Sequence, residues 1–391
     1  MAPTDWRKFL ALLLRRARSY AEGLDLTLIK ATIARHRRSL SALAIVAVLL
    51  GLFLAFWPYP EPLKRPPLPE GRPQPEIIGF YVNWGGEQFS SLESLLDNWE
   101  LMDTISPFWY SINAQGQVVD GRHVEEAFRF AKEKGLEVVV LINNKKGEGY
   151  GNAGMLRTAE LRRRAAENIA ELVESKGYDG VNIDFEAMPP ESRDAFTSFM
   201  RELAARLRPK GKVIAASVFP KVDISPRIHG AHDWRALGEI VDYLVLMLYD
   251  RHWASGRPGP VSPLPWVQAN VDAALKVLPP EKIVVAVGTY GYDWPPRGRG
   301  TDVATRDAFY LARQVGANIK RDQNSGQLHF VYWKNGQRHE VWFQDRESTR
   351  QRLEIVRELG LRGIAIWRIG TEEAGYWEVI ESYCDRGNNS R

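Results

Sequence analysis

The sequence predicts a closed barrel of eight parallel strands alternating with helices, with a small α+β insertion ahead of the last strand. A single membrane-spanning helix and a proline-rich linker precede it. Three observations carry this reading. Eight short apolar runs recur from Glu76 onward, most of them followed by an amphipathic stretch. Asn335-Gly336 sits between two alternating aromatic runs, which marks a hairpin inside the longest connection. Leu40 to Trp57 carries no charged residue.

The parts follow in chain order. Residues 1–39 are basic, with Arg35, His36, Arg37 and Arg38 directly before the apolar run. Residues 40–57, interrupted only by Ser41 and Gly51, reach about 27 Å as a helix, enough for a short bilayer span. The positive flank places the N-terminus in the cytoplasm and the rest outside the cell membrane, as a single-pass anchor. No A-x-A site follows the run, which favours an uncleaved anchor over a signal peptide. Residues 58–75 hold eight prolines, which fix φ and remove backbone donors. A semi-rigid polyproline spacer is expected there. Residues 76–385 form the barrel and 386–391 a tail.

The expected barrel strands are Ile77–Asn83, Thr104–Tyr110, Glu137–Ile142, Gly180–Glu186, Lys212–Phe219, Tyr243–Tyr249, Ile283–Thr289 and Gly363–Ile369. Helical patterns cover Val124–Lys134, Thr158–Ser175, Pro190–Leu207, Pro265–Val277 and Ser348–Leu359. Gly135, Gly177, Gly211 and Gly360 stand where helices should end. The insertion, about residues 291–345, combines a helix at Arg306–Val315 with strands Leu328–Trp333 and Arg338–Phe343. Upper loops build the sites of such barrels, so the insertion should wall a cleft. An open doubly wound sheet would want a glycine-rich phosphate loop after an early strand. Gly147-Glu148-Gly149-Tyr150-Gly151 follows the third strand and lacks GxGxxG spacing.

Composition excludes several functions. One cysteine, Cys384, rules out an intrachain disulfide framework, zinc ribbons and CxxC redox chemistry. A formal net charge of +4 gives no argument for nucleic acid. His229 and His232 lack a third ligand at useful spacing, so no metal is expected. Thirteen tryptophans and fourteen tyrosines serve either packing or stacking on sugar rings.

The chemistry lies in Asp179-Gly180-Val181-Asn182-Ile183-Asp184-Phe185-Glu186. Strand side chains alternate, so Asn182, Asp184 and Glu186 share one face and Val181, Ile183 and Phe185 the other. The apolar face suits the outer helices, which turns the polar trio inward with Glu186 at the upper rim. Carboxylates stacked inside a barrel are costly unless paired or used. Their proximity should raise one carboxyl pKa and permit a protonated acid near neutral pH.

This run resembles the DxxDxDxE signature of glycoside hydrolase family 18, the chitinase-like (β/α)8 TIM barrels. Met247-Leu248-Tyr249-Asp250 is similar to that family's M-x-Y-D, and Trp367 to its sugar-floor tryptophan. Asn182 departs from the pattern, standing at the family's middle Asp. His252, Pro258-Gly259-Pro260-Val261, Pro263-Leu264-Pro265-Trp266 and Gly291-Tyr292-Asp293-Trp294 resemble the spore-cortex-lytic, YaaH-like branch, which acts on peptidoglycan.

The resemblance implies Glu186 as proton donor and Asp184 as the group orienting the substrate's acetamido arm. Tyr249 would hold the acetamido oxygen, without cofactor or metal. Substrate contacts are expected from Trp367, Asn182, Asp250 and Met247, and from Tyr81 as the inward member of the pair Tyr81/Trp84. Asn143 and Asn144 serve either sugar hydroxyls or a turn, and His252 either the site or packing. Trp253, Trp266 and Trp294 offer at least one stacking platform. The expected activity is a membrane-anchored retaining β-N-acetylglucosaminidase on N-acetylated peptidoglycan or cortex glycan. A chitinase or chitooligosaccharide hydrolase, or a non-catalytic sugar-binding barrel, are the alternatives.

Overall fold

The computed structural model describes residues 74–84, 91–145 and 151–383. The basic segment, the apolar stretch 40–57, nearly all of the linker and the tail lie outside the described residues. Among the described residues no helix is long and apolar enough to cross a membrane.

Eight parallel strands close on themselves. They are β1 (Glu76–Tyr81), β2 (Thr104–Ile112), β4 (Glu137–Asn143), β5 (Gly180–Asp184), β6 (Val213–Val218), β7 (Tyr243–Leu246), β8 (Ile283–Gly288) and β14 (Gly363–Trp367). The sheet order runs β1-β14-β8-β7-β6-β5-β4-β2, and β1 pairs back to β2 to complete the barrel. A three-residue strand, β3 (Val118–Asp120), adds antiparallel to β2. Each expected strand is present, and several stop short at the upper end. The strand expected to Glu186 ends at Asp184, and the one expected to Tyr249 ends at Leu246.

Period-two patterning sorts the core into two layers. Val181, Ile183 and Phe185 of the fourth barrel strand and the loop above it face outward and are fully buried. There Phe185 stacks on Phe199 of the helix Arg193–Leu207, at 5.5 Å between ring centres. Burial of one such side chain contributes about 2 kcal/mol. The interior is filled by Ile78, Phe80, Leu141, Tyr243, Val284 and Ala365 among others. Gly135, Gly177, Gly211 and Gly360 all adopt positive φ between 64° and 75°, the left-handed geometry that ends a helix where only glycine is unstrained.

Between β8 and β14 lies the inserted module. Its antiparallel sheet has the order β10-β9-β13-β12-β11. The strands are β9 (Tyr290–Trp294), β10 (Thr301–Ala304), β11 (Lys320–Arg321), β12 (Leu328–Lys334) and β13 (Gln337–Phe343). The helix Thr305–Gln314 packs Ala308 and Ala312 against Phe330, Val341 and Phe343. Asn335 and Gly336 both have positive φ, 52° and 74°, as a two-residue hairpin of this hand requires. The sequence reading missed β9, despite the aromatic alternation Tyr290-x-Tyr292-x-Trp294, and β10, whose four residues carry little apolar pattern.

Candidate active site

The upper end of the barrel holds a cavity of about 630 Å³. Asp184, Glu186, Met247, Tyr249, Asp250 and Trp367 all line it. The structure thus brings together six of the eight site residues expected from sequence.

The fourth barrel strand delivers the two carboxylates. Asp184 is the last residue of β5 and lies opposite Asn143 of β4. Its side chain is buried, and its Oδ1 has no hydrogen-bond partner. Burial raises its carboxyl pKa to about 7, against the opposing pull of the Lys145 ammonium. The raised carboxyl expected from crowded like charges is therefore Asp184, and the main cause is desolvation. Glu186 lies beyond the strand end. Its main chain is gripped by Asn144, which accepts from the Glu186 N–H at 2.8 Å and donates to the Glu186 carbonyl at 2.9 Å. Ala187 follows at a φ of 50°, turning the chain away from the rim.

Tyr249 and Asp250 come from the loop above β7. The Tyr249 hydroxyl is held protonated, its pKa raised by burial and then by the charges of Asp184, Glu186 and Asp250. Asp250 adopts a φ of 59°, a left-handed conformation that aspartate tolerates better than most residues. Its Oδ1 accepts from both Tyr290 and Tyr292 of the insertion. Burial raises the Asp250 pKa, and those two bonds hold it back.

Aromatic rings cover the opposite side. Trp367 packs edge-on against Phe80 at 5.4 Å, with Phe108 at 5.9 Å and Trp84 at 6.5 Å. The Trp367–Arg368 peptide is cis, and both of its polar groups bond to Thr289. Lys145 lies 5.5 Å from the Trp84 ring centre and 4.9 Å from that of Phe108.

Several expectations need correction. Tyr81 does not face the cavity. The inward residues of the first strand are Ile78, Phe80 and Val82, and the parity continues to Trp84, which lines the cavity. Tyr81 packs outward against Trp109 at 5.8 Å, where burial raises its pKa to about 12. Gly79 shares that outer face, and a Cβ there would meet Met102 at 2.8 Å. Its small size makes room for the outer layer, not for a ligand. Asn182 points inward as expected but sits below the cavity floor. It donates to Ser217 Oγ at 3.1 Å, and it is Ser217 that lines the cavity.

The upper-loop tryptophans also fall elsewhere. Trp266 is buried, its indole N–H on the Val222 carbonyl, and Trp294 is buried within the insertion. Trp253 is exposed and outside the cavity lining. His252 packs against Gly259 and bonds to the Arg257 carbonyl. Asn143 and Asn144 serve main-chain groups: Asn143 donates to the Tyr110 carbonyl and accepts from the Lys145 N–H.

Sequence reasoning missed Phe80, Lys145, Tyr290, Tyr292, Arg299 and Asp302 in the cavity wall. The spacing Tyr290-x-Tyr292 in an extended segment was the available signal for the two tyrosines.

Residues 76–372 match the glycosyl hydrolases family 18, and the chain belongs to that family. It is 33% identical over 254 residues to the cortical fragment-lytic enzyme of Bacillus subtilis (strain 168), a match covering 62% of this chain and 59% of that protein. The enzyme of the same name from Bacillus cereus is 32% identical over 260 residues, covering 63% and 60%. The chain therefore spans less than two thirds of these relatives' length. Among solved structures, the Bacillus cereus spore cortex-lytic enzyme SleL matches with a TM-score of 0.73 and 26% identity, covering 80% of this chain and 75% of that one. A chitinase from Chromobacterium violaceum matches with the same TM-score and identity, covering 79% and 98%.

Proposed function

We propose that the protein is a retaining β-N-acetylglucosaminidase that hydrolyses N-acetylated glycan of peptidoglycan or cortex, using the substrate's own acetamido group as nucleophile. The observation that carries this reading is the unpartnered Asp184 Oδ1, buried in the same cavity as Glu186 and the Tyr249 hydroxyl. A buried carboxylate oxygen without a donor is costly, and an amide N–H from a ligand would relieve it.

In this reading Glu186 protonates the glycosidic oxygen as that bond breaks. The acetamido carbonyl oxygen attacks the anomeric carbon and closes an oxazolinium ring. Asp184 accepts from the acetamido N–H, and the positive ring draws its carboxyl toward the ionised form. Tyr249 donates to the acetamido oxygen. Glu186, now a base, takes a proton from water, which opens the ring with retained configuration. Holding the nucleophile on the substrate supplies high effective molarity. The family is a known exception to the two-carboxylate scheme.

Similarity to the cortical fragment-lytic enzymes supports a peptidoglycan-type glycan. The apolar run 40–57 with its basic flank supports a tether to the cell membrane, with the barrel outside. Mass spectrometry of fragments released from purified peptidoglycan, by wild type and by Glu186→Gln, tests the activity. Loss of nearly all release in the variant is expected, and an unchanged rate rejects the reading. Protease treatment of intact cells tests the tether: an external barrel is shaved. A chitinase reading is favoured by the match to nearly the whole Chromobacterium violaceum chitinase. Preferential turnover of chitin oligomers would establish it.

A further inference from the structure

The fourth barrel strand stops pairing just before the residue on which the chemistry depends. Register between β4 and β5 ends at Asn143 and Asp184, and between β5 and β6 at Ile183 and Ala216. Beyond those points the strand registers no longer cover Glu186. Side chains take over.

Asn144 continues the ladder on one side, meeting both the N–H and the carbonyl of Glu186. Asn144 itself is fully buried. On the other side stands His232, also buried. Its Nε2 lies 3.0 Å from the Phe185 carbonyl, and the Phe219 N–H donates to its Nδ1 at 3.1 Å. A main-chain N–H can only donate, so Nδ1 must be the acceptor and Nε2–H the donor. The ring is therefore neutral and fixed in one tautomer, and burial lowers its pKa to about 4. Phe219 stacks on the ring at 5.7 Å, while Phe196 flanks it at the same distance.

The Phe185 carbonyl and the Glu186 N–H belong to a single peptide unit. That unit is held at its oxygen by His232 and at its nitrogen by Asn144. The imidazole replaces what would be a direct bond from the Phe219 N–H to the Phe185 carbonyl. It spaces the ends of β5 and β6 apart while keeping them joined.

We propose that Asn144 and His232 are positioning residues that aim the Glu186 carboxyl at the leaving oxygen by clamping the peptide unit before it. The inference rests on the reading of Glu186 as the acid. Misplacement of an acid by about 1 Å costs on the order of 100-fold in rate.

The experiment compares two N,N′-diacetylchitobiosides of the full-length chain's expected substrate type, one with a 2,4-dinitrophenyl and one with a 4-methylumbelliferyl leaving group. The first leaves with little protonation; the second needs more. In Asn144→Leu, which removes both amide contacts at similar volume, and in His232→Phe, kcat/KM for the methylumbelliferyl glycoside is expected to fall about 100-fold, and for the dinitrophenyl glycoside less than about 5-fold. His232→Gln presents an amide oxygen and N–H at similar spacing and should recover most of the loss. Equal losses on both glycosides, or none on either, would overturn the proposal. Circular dichroism identifies a variant that fails to fold, and the smaller truncation Asn144→Ala, which also lacks both amide contacts, then decides alone. Glu186→Gln separates the two levels. If it shows no dependence on leaving group, the acid assignment itself fails. If it does and the clamp variants do not, only the clamp fails.

Discussion

The Asp250 carboxylate accepts a 2.6 Å hydrogen bond from the hydroxyl of Tyr290. This contact joins the loop above the sixth barrel strand to the first strand of the inserted module. A second tyrosine, Tyr292, meets the same oxygen at 2.9 Å. Bonds to a buried charged acceptor contribute about 2 kcal/mol each. Tyr290→Phe should lose about that much stability in denaturant unfolding at pH 8. It should lose less at acid pH, because the bonds favour the ionised carboxylate and their removal raises a pKa that burial already lifts.

Asp184→Asn should be more stable than wild type at pH 8 and nearly inactive. The folded carboxyl titrates at about 7 because it is buried, far above the ordinary aspartate value. Between those two values the native state binds the proton and the unfolded state does not. Stability is therefore lost as pH rises through that window and stays lost above it. Removing the charge should recover on the order of 2–4 kcal/mol at pH 8 and little at pH 3.5. Thermal unfolding at the two pH values checks this, and equal gains at both would refute it.

The sign is opposite at His232. Its folded pKa is lowered to about 4, below the unfolded value of about 6.5. In the window between, the unfolded state binds the proton and the native state does not. Stability contributed by the neutral ring is complete above pH 6.5 and falls as pH drops toward 4, by about 3 kcal/mol. In His232→Gln this slope should vanish, so wild type and variant should diverge in urea midpoint on going from pH 7 to pH 4.

Trp84 and Tyr81 give a contrast in substrate binding. Trp84→Ala removes a cavity-lining ring and should raise KM for an N-acetylated oligosaccharide about tenfold, since one stacked ring is worth about 1–2 kcal/mol. Tyr81→Phe should leave KM and kcat unchanged, because that ring packs in the outer layer against Trp109. An effect on KM from Tyr81→Phe would restore the inward orientation.

Much of this architecture was legible because strands impose period two and helix ends impose positive φ. Asn182, Asp184 and Glu186 fall on one face by counting alone. Gly135, Gly177, Gly211 and Gly360 end helices because few other residues adopt that backbone. Asn335-Gly336 specifies its turn for the same reason. Other features depend on facts that parity cannot supply. Counting leaves Tyr81 and Trp84 on opposite faces but does not say which face is inside. The large side chain of Met102, entering beside Gly79, helps decide it. Tyr290 and Tyr292 share one face of a strand by their spacing, but that they meet Asp250 depends on how the inserted sheet packs, which local spacing does not specify. Asn144 and His232 act on main-chain atoms 42 and 47 residues away, so their roles emerge only in three dimensions.

The division of the cavity wall has a practical consequence. Asp184, Glu186, Tyr249 and Trp367 belong to the barrel, whereas Tyr290, Tyr292, Arg299 and Asp302 belong to the inserted module. Exchanging that cassette between homologues offers a way to redirect glycan choice while the bond-cleaving apparatus stays in place.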